Sequence, residues 1–343
     1  MTPSRILVVE LWHIGDVILT LPFLARLRAL FPEAEIALLA RAHAAELLRG
    51  TGLVDEFIET NLDWDAAGTF NPFRYRLGEL LRVVRDLRRR EFDIAFQCRP
   101  HVREHVLLAL SGARRRIGIA FGMSDKALTD AILIDSRDTR KTEQWQALLT
   151  PLGGSVKAEN PRLEVSHAER SWALEFLATN GIAQGDMIVG IHPGASVLEN
   201  RWPLERFTEL ARTIVAQAGV RVLAFVDPAG YGAAFGDVPG VVLAKVGIRE
   251  LMALIQRCNF LICNDSGPMH IAGALGVPTV AIFRWINRWY LPLGEGHEQV
   301  RAVKAGSRPK TSYSVTEIPV SQMLQVVEQK LREARATPRG ARP

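Results

Sequence analysis

Cysteine is scarce in this chain: Cys98, Cys258 and Cys263 are the three among 343 residues. They lack metal-ligand spacing and have apolar neighbours, so the sequence predicts buried, reduced thiols, with no disulfide framework and no structural zinc. Long apolar runs are missing as well. Uninterrupted stretches such as 6–9 and 280–283 fall far short of the roughly 18 residues that suggest a membrane-spanning helix. The chain passes from Arg5 straight into Ile6, Leu7, Val8 and Val9, without the charged, apolar and small-residue succession of a cleaved signal, and a cytosolic protein is expected. Neither Gly-x-Gly-x-x-Gly nor Gly-x-x-x-x-Gly-Lys-Ser/Thr occurs, so the common dinucleotide and P-loop sites lack their glycines. No short-period repeat is present, which excludes a solenoid.

What is present is the composition of a globular protein, 48% hydrophobic and 23% charged, long enough for two domains. The net charge of +5 invites a nucleic-acid reading, but its location argues otherwise. The segment 331–343 holds Arg332, Arg335, Arg339 and Arg342 against Glu333 alone, three of the five net charges. The body is only mildly basic and has no aromatic-basic motif of an RNA-binding module, so no nucleic-acid partner is expected. Two arginine clusters stand out within it: Arg82, Arg85, Arg88, Arg89 and Arg90, then Arg99, Arg103, Arg114, Arg115 and Arg116. A solvated helix face and a surface for an anionic acceptor both fit the first.

Strand-like apolar runs alternate with helix-period segments along nearly the whole chain, the pattern of parallel sheets covered on both faces. In the first half the strands are expected at 6–11, 35–40, 56–59, 93–97 and 116–119, with a helix over 16–30 that Pro22 kinks. A second series follows at 187–192, 221–226, 241–244, 260–264 and 279–283, with helices at 204–218 and 248–256. The pattern breaks near 157–165, where Asn160-Pro161 signals a turn. The expected organisation is a domain over 1–160, a second over 161–319, and a closing helix with a basic tail over 320–343. Two open α/β domains facing each other would place the carboxyl ends of both sheets around one cleft, the usual ligand location.

Three segments at strand ends carry chemistry. In Glu10-Leu11-Trp12-His13-Ile14-Gly15-Asp16-Val17, Gly15 permits a tight turn and Asp16 opens a helix, either as an ordinary cap or as a functional carboxylate. In Ile191-His192-Pro193-Gly194-Ala195-Ser196, followed by Asn200-Arg201-Trp202-Pro203, Ser196 offers a hydroxyl and Arg201 a planar fork matching phosphate oxygens. In Asn264-Asp265-Ser266-Gly267-Pro268-Met269-His270, a buried strand delivers polar residues to a glycine turn. The helix that follows aims free N–H groups and its positive dipole end outward, a geometry that binds phosphate. Gly273 is expected to let this helix pack close to the sheet, and His270 is either a ligand contact or a core histidine.

Together these residues resemble glycosyltransferase family 9, the ADP-heptose:lipopolysaccharide heptosyltransferases. The resemblance rests on Gly15-Asp16-Val17, on His192-Pro193-Gly194-Ala195 with Arg201-Trp202-Pro203, and on 265–270 with Ala274-Leu275-Gly276-Val277-Pro278. It spans roughly 4–331, including 141–153, which resembles the family's inter-domain helix, and 320–331, which resembles its closing helix. It implies a GT-B fold of two Rossmann-like doubly wound domains, the acceptor held by the first and the nucleotide-sugar by the second. The implied reaction inverts the anomeric centre and needs no metal or other cofactor. Asp16 matches the family's general base. Ser196, Arg201, Asp265, Ser266, Gly267, Pro268, Met269 and His270 are the expected donor contacts, and His13, Arg99 and Arg103 the expected acceptor contacts, with Arg114–Arg116 as further cations for an acidic acceptor.

The chain departs from the family pattern in places. Arg201 stands where lysine is common. After the strand at 221–226 the family's Gly-Gly-Pro-x-Glu is replaced by Val226-Asp227-Pro228-Ala229-Gly230, so the ribose-contacting glutamate is absent and Asp227 is its nearest substitute. The cysteine pair seen late in family members is absent too. The function expected is transfer of heptose or a related sugar from an ADP-sugar to a lipopolysaccharide core or other anionic surface glycan; the basic tail is either in peripheral contact with the inner membrane or a solvated terminus. A nucleotide-sugar epimerase on the same scaffold and a non-catalytic nucleotide-sugar-binding protein are the competing readings.

Overall fold

Apolar runs become strands, and the amphipathic stretches between them become helices. The computed structural model describes residues 3–62, 77–135, 139–284, 289–290, 292, 296–301 and 314–336. The chain divides into two units, Met1–Leu163 and Glu164–Pro343. The first contains β1 (Arg5–Glu10), α1 (Ile14–Leu19), α2 (Leu21–Leu30), β2 (Glu35–Ala40), α3 (Ala42–Leu48), β3 (Glu56–Glu59), α4 (Leu77–Arg89), β4 (Ile94–Gln97), α5 (Val102–Leu110), β5 (Arg115–Ile119), β6 (Asp130–Ile132) and α6 (Lys141–Ala147). The second contains α7 (His167–Thr179), β7 (Met187–His192), α8 (Leu204–Val215), β8 (Val220–Phe225), β9 (Val241–Ala244), α9 (Ile248–Arg257), β10 (Phe260–Asn264), α10 (Gly267–Ala274), β11 (Thr279–Ile282), β12 (His297–Val300) and α11 (Val320–Ala336).

Each unit is built on a parallel sheet, ordered β3-β2-β1-β4-β5-β6 in the first and β9-β8-β7-β10-β11-β12 in the second. Both orders read 3-2-1-4-5-6 within their unit, the doubly wound arrangement. The register lines up the apolar runs: Ile6 lies opposite Ile36 and Ile94, and Ile262 opposite Ile191 and Val280. All six are almost wholly buried, each contributing about 1.5–3 kcal/mol by leaving water. In the second unit Met323, Val327 and Leu331 of α11 join Trp202, Phe207 and Phe235 in one core cluster. In the first, Trp145 of α6 packs on Phe23 of α2 at 5.8 Å between ring centres. All three cysteines are buried.

The structure corrects several expectations. The single helix over 16–30 is two helices, α1 and α2, joined at Thr20. Pro22 has no N–H to continue the first ladder, so it falls instead in the opening turn of the second, where that donor is not needed. β6 and β12 were not expected; both are short edge strands, and Asp130-Ala131-Ile132 and His297-Glu298-Gln299-Val300 lack an apolar run. Gly273 does not serve close packing on the sheet: a Cβ there would lie 2.3 Å from Cγ of Pro292.

The arginine clusters are largely consumed by the fold. α4 buries Val83 and Leu87 and turns Arg82 outward to Glu79 at 2.6 Å. That bond draws the Glu79 carboxyl down to about 2. Arg90 pairs with Glu56 and with Asp86, and Arg88 donates to the Leu110 carbonyl at 2.9 Å. Arg114, Arg115 and Arg116, expected as further cations for an acidic acceptor, are engaged within the scaffold instead. They lie at the start of β5, Arg114 just before it, at the amino end of the sheet, and engage Asp93 at 3.2 Å, Asp130 at 2.8 Å and the Ala127 carbonyl at 2.8 Å.

Candidate active site

In a doubly wound sheet the ligand crevice opens at the carboxyl ends of the two strands where the order reverses. In the first unit these are β1 and β4. From β1 the chain runs through Leu11, Trp12 and His13, the N-cap of α1, and places Asp16 in the helix's first turn. From β4 it runs through Cys98 and Arg99 to His101, the N-cap of α5, whose ring accepts the Arg103 N–H at 3.2 Å. The structure brings the two loops together as an ion pair between Asp16 and Arg99. The Arg99 guanidinium carbon lies 3.9 Å from the centre of the Trp12 ring, a cation–π contact.

Behind this pair lies a polar network that the sequence reading missed. The Trp12 indole N–H donates to Glu104 at 2.5 Å, and its backbone N–H donates to Glu10 at 2.9 Å. The Gln97 amide donates to the second Glu104 oxygen at 2.5 Å and also to the Arg99 carbonyl. Burial pushes the Glu10 carboxyl well above the ordinary carboxylate range, helped by Asp16 and Glu104 and opposed by Arg99. Burial likewise raises Glu104 against the bonds from Gln97 and Trp12. Lys141, from the first turn of α6, has its ammonium drawn down by burial and then by Arg99, with Asp16 and Glu10 opposing. The signal was available: Glu10 closes an apolar strand and Glu104 sits in an apolar helix, and an acid in either setting is buried and needs partners.

The second unit repeats the plan with β7 and β10. His192, which closes β7, and residues 193–195 after it are buried, whereas Ser196 is exposed. Asn264, closing β10, fastens two loops at once: its Nδ2 donates to the Pro193 carbonyl at 2.6 Å, and its Oδ1 accepts the Trp202 N–H at 3.1 Å. Trp202 is wholly buried and donates its indole N–H to the Ile318 carbonyl at 2.9 Å. This anchors Arg201, whose Nε donates to the Ala195 carbonyl at 2.7 Å while its guanidinium carbon lies 4.7 Å from the Tyr231 ring centre. Ser266 caps α10 in extended backbone, its hydroxyl directed to the Asn264 carbonyl at 3.2 Å.

Asp265, Ser266 and Gly267 are partly exposed at this end, but Pro268 and Met269 are buried. Both were expected as donor contacts; their side chains are taken up in packing, because α10 is buried from Pro268 onward. His270 is 7% exposed, its ring 6.3 Å from that of Tyr290. Asp227 is engaged in its own loop: its N–H and Oδ1 bond the Tyr231 carbonyl and N–H at 3.1 and 2.8 Å around Gly230, which adopts φ 88°. Its Oδ2 lies 3.2 Å from where a Cβ on Gly194 would be, so that position admits only glycine without displacement. Burial draws the neighbouring His192 imidazole down to about 4, with Asp227 opposing. Beyond β8 and β9 an open depression of about 630 Å³ is lined by Trp172, Phe176, Val226, Pro228, Lys245 and Glu250. Trp172 and Phe176 stack at 5.4 Å.

A family model described as glycosyltransferase family 9 (heptosyltransferase) matches residues 80–317. Lipopolysaccharide heptosyltransferase 2 of Escherichia coli K12 is 24% identical over 298 residues, covering 81% of this chain and 82% of the relative. Lipooligosaccharide heptosyltransferase 2 of Haemophilus influenzae is 25% identical over 314 residues, covering 84% and 85%. Among solved structures, a family 9 glycosyltransferase from Veillonella parvula superposes with a TM-score of 0.76 at 26% identity, covering 96% of this chain and 97% of that one. The E. coli ADP-heptose lps heptosyltransferase II superposes at 0.74 and 22% identity, covering 96% and 99%, a likeness of fold.

Proposed function

The chain belongs to glycosyltransferase family 9, and on that premise we propose that this glycosyltransferase moves heptose from ADP-heptose to a lipopolysaccharide core, with inversion and Asp16 as the base. The observation that carries the reading is the placement of all three motifs at strand ends beside the order reversal, β1 and β4 in one sheet, β7 and β10 in the other. A single displacement requires one base at the attacking hydroxyl and a stabilised leaving group. Asp16 takes the acceptor hydroxyl proton as that oxygen bonds to the anomeric carbon. The bond from the anomeric carbon to the diphosphate oxygen breaks, and ADP leaves with the electron pair.

The second unit receives the charge that develops on the diphosphate. The first-turn amides of α10, with Ser266, Gly267 and Asp265 at its mouth, and the Arg201 fork are placed for the phosphates, with Ser196 and His270 beside them. No metal ion is required in this scheme. With Asp227 held by Tyr231, the nucleoside is better served by the depression that Trp172 and Phe176 line. In the first unit Arg99, Arg103 and His13 face an acceptor rich in phosphate and acidic sugar.

Among the described residues no helix is long and apolar enough to cross a membrane. We place the basic tail against an anionic leaflet, where each arginine near the surface contributes about 1 kcal/mol. Arg332 and Arg335 are exposed at the end of α11, and Arg339 and Arg342 lie outside the described residues.

The test is ADP release and heptose incorporation with ADP-heptose and core-truncated lipopolysaccharide. Asp16→Asn is expected to lower kcat by about 100-fold or more, within the range ascribed to general-base catalysis, while ADP binding is retained. Transfer by Asp16→Asn at the wild-type rate removes Asp16 from the role, and failure of the wild type to transfer heptose refutes the donor assignment.

A further inference from the structure

The buried network behind Asp16 has more order than a cap requires. Trp12 is held at three places: its backbone N–H by Glu10, its indole N–H by Glu104, and its ring face by the Arg99 guanidinium that pairs with Asp16. Glu104 is 1% exposed and accepts at both oxygens, from Trp12 and from Gln97, each at 2.5 Å. A buried carboxylate is costly, and it is tolerated where its partners are fully placed. Gln97 also donates to the Arg99 carbonyl, so the same amide sets the backbone from which Arg99 reaches Asp16. The chain of contacts runs from Gln97 and Glu104, through the indole, to the guanidinium and then to the carboxylate.

We propose that Glu104 is a positioning residue for the transfer reaction: by fixing the Trp12 indole it fixes the platform on which Arg99 stacks, and so holds the Asp16 carboxylate for the acceptor hydroxyl. This rests on Asp16 being the base. A stacked guanidinium has one favourable plane, and a ring free to turn about its χ angles offers it many. A misplacement of the order of 1 Å at a reacting group costs about 100-fold in rate. Glu104 is set back behind Trp12, so its effect falls on kcat and leaves the donor KM alone.

The test compares Glu104→Leu, Glu104→Gln, Trp12→Phe and the double variant Trp12→Phe with Glu104→Leu, using ADP release in the presence of core-truncated lipopolysaccharide. Glu104→Leu and Trp12→Phe are each expected to lower kcat by about 10-fold or more, with the ADP-heptose KM within about twofold of wild type. The double variant is expected to be no worse than the poorer single, because both cut one contact. Glu104→Gln keeps an acceptor for the indole and recovers most of the rate. Trp12→Phe preserves the stacked ring and is the variant to rely on if Glu104→Leu does not fold. Wild-type kcat in a folded Trp12→Phe, or losses that multiply in the double variant, overturns the proposal. Asp16→Asn measured alongside separates the two claims. If it retains activity, the base assignment fails and this proposal with it; if it is inactive while Trp12→Phe is unimpaired, positioning alone fails.

Discussion

Glu10 shows how one buried carboxyl couples the site to stability. Burial, then Asp16 and Glu104, raise its proton affinity in the folded chain, whereas in the unfolded chain it ionises near 4.3. A raised carboxyl favours folding below the unfolded value, and that contribution is lost as pH rises and the unfolded state releases its proton. Glu10→Gln mimics the protonated form and still accepts the Trp12 N–H. It is therefore expected to raise Tm at pH 7.5 and leave it unchanged at pH 4, as differential scanning fluorimetry at the two pH values will show. A lower Tm at pH 7.5 contradicts this account. Asp16 and Arg201 stand out in the sequence because one follows Gly15 at a strand end and the other precedes Trp202-Pro203 at a helix start. Glu104, Gln97 and Lys141 were not, since nothing in their local sequence says that they meet Trp12 and Arg99.

Within elements, the clearest case is the clamp between α7 and α9. Ser166 accepts the Glu169 N–H while Glu169 returns to the Ser166 N–H, a capping box. The same Glu169 carboxylate takes both arms of Arg249 at 2.7 Å, and Arg249 also reaches the Glu164 carbonyl at 3.0 Å. The bond from Arg249 is the main reason that Glu169 ionises at about 2. A depressed carboxyl contributes stability that is complete above the unfolded value near 4.3 and is lost as pH falls toward 2. Glu169→Gln is expected to lower the urea midpoint at pH 7, with the gap to wild type narrowing steadily from pH 4.5 to pH 2.5. A gap that does not change with pH assigns the loss to packing instead. Helix periods and the strands at 35–40, 56–59, 187–192, 241–244 and 260–264 could be read without the structure because each is an apolar pattern complete within itself. The edge strands β6 and β12 could not, because a neighbour's backbone makes them strands.

For the whole chain, the two units each carry their own sheet and core, and the proposed ADP contacts all come from the second. Calorimetry of the intact chain is expected to resolve two transitions, of which ADP raises one. At one hundred times its Kd a ligand adds about 2.7 kcal/mol to the unit that binds it. A shift of neither transition places the donor elsewhere. The alternation of elements and the turn chemistry at strand ends are written locally, since a strand needs only its apolar run and a helix start only its glycine and cap. Charge partnership is not local. Asp16 and Arg99 are 83 residues apart and meet because β1 pairs with β4 rather than with β3. The same strand order sends Arg115 to Asp130 at the far edge of the sheet, and so separates the arginine of the site from the arginines of the scaffold.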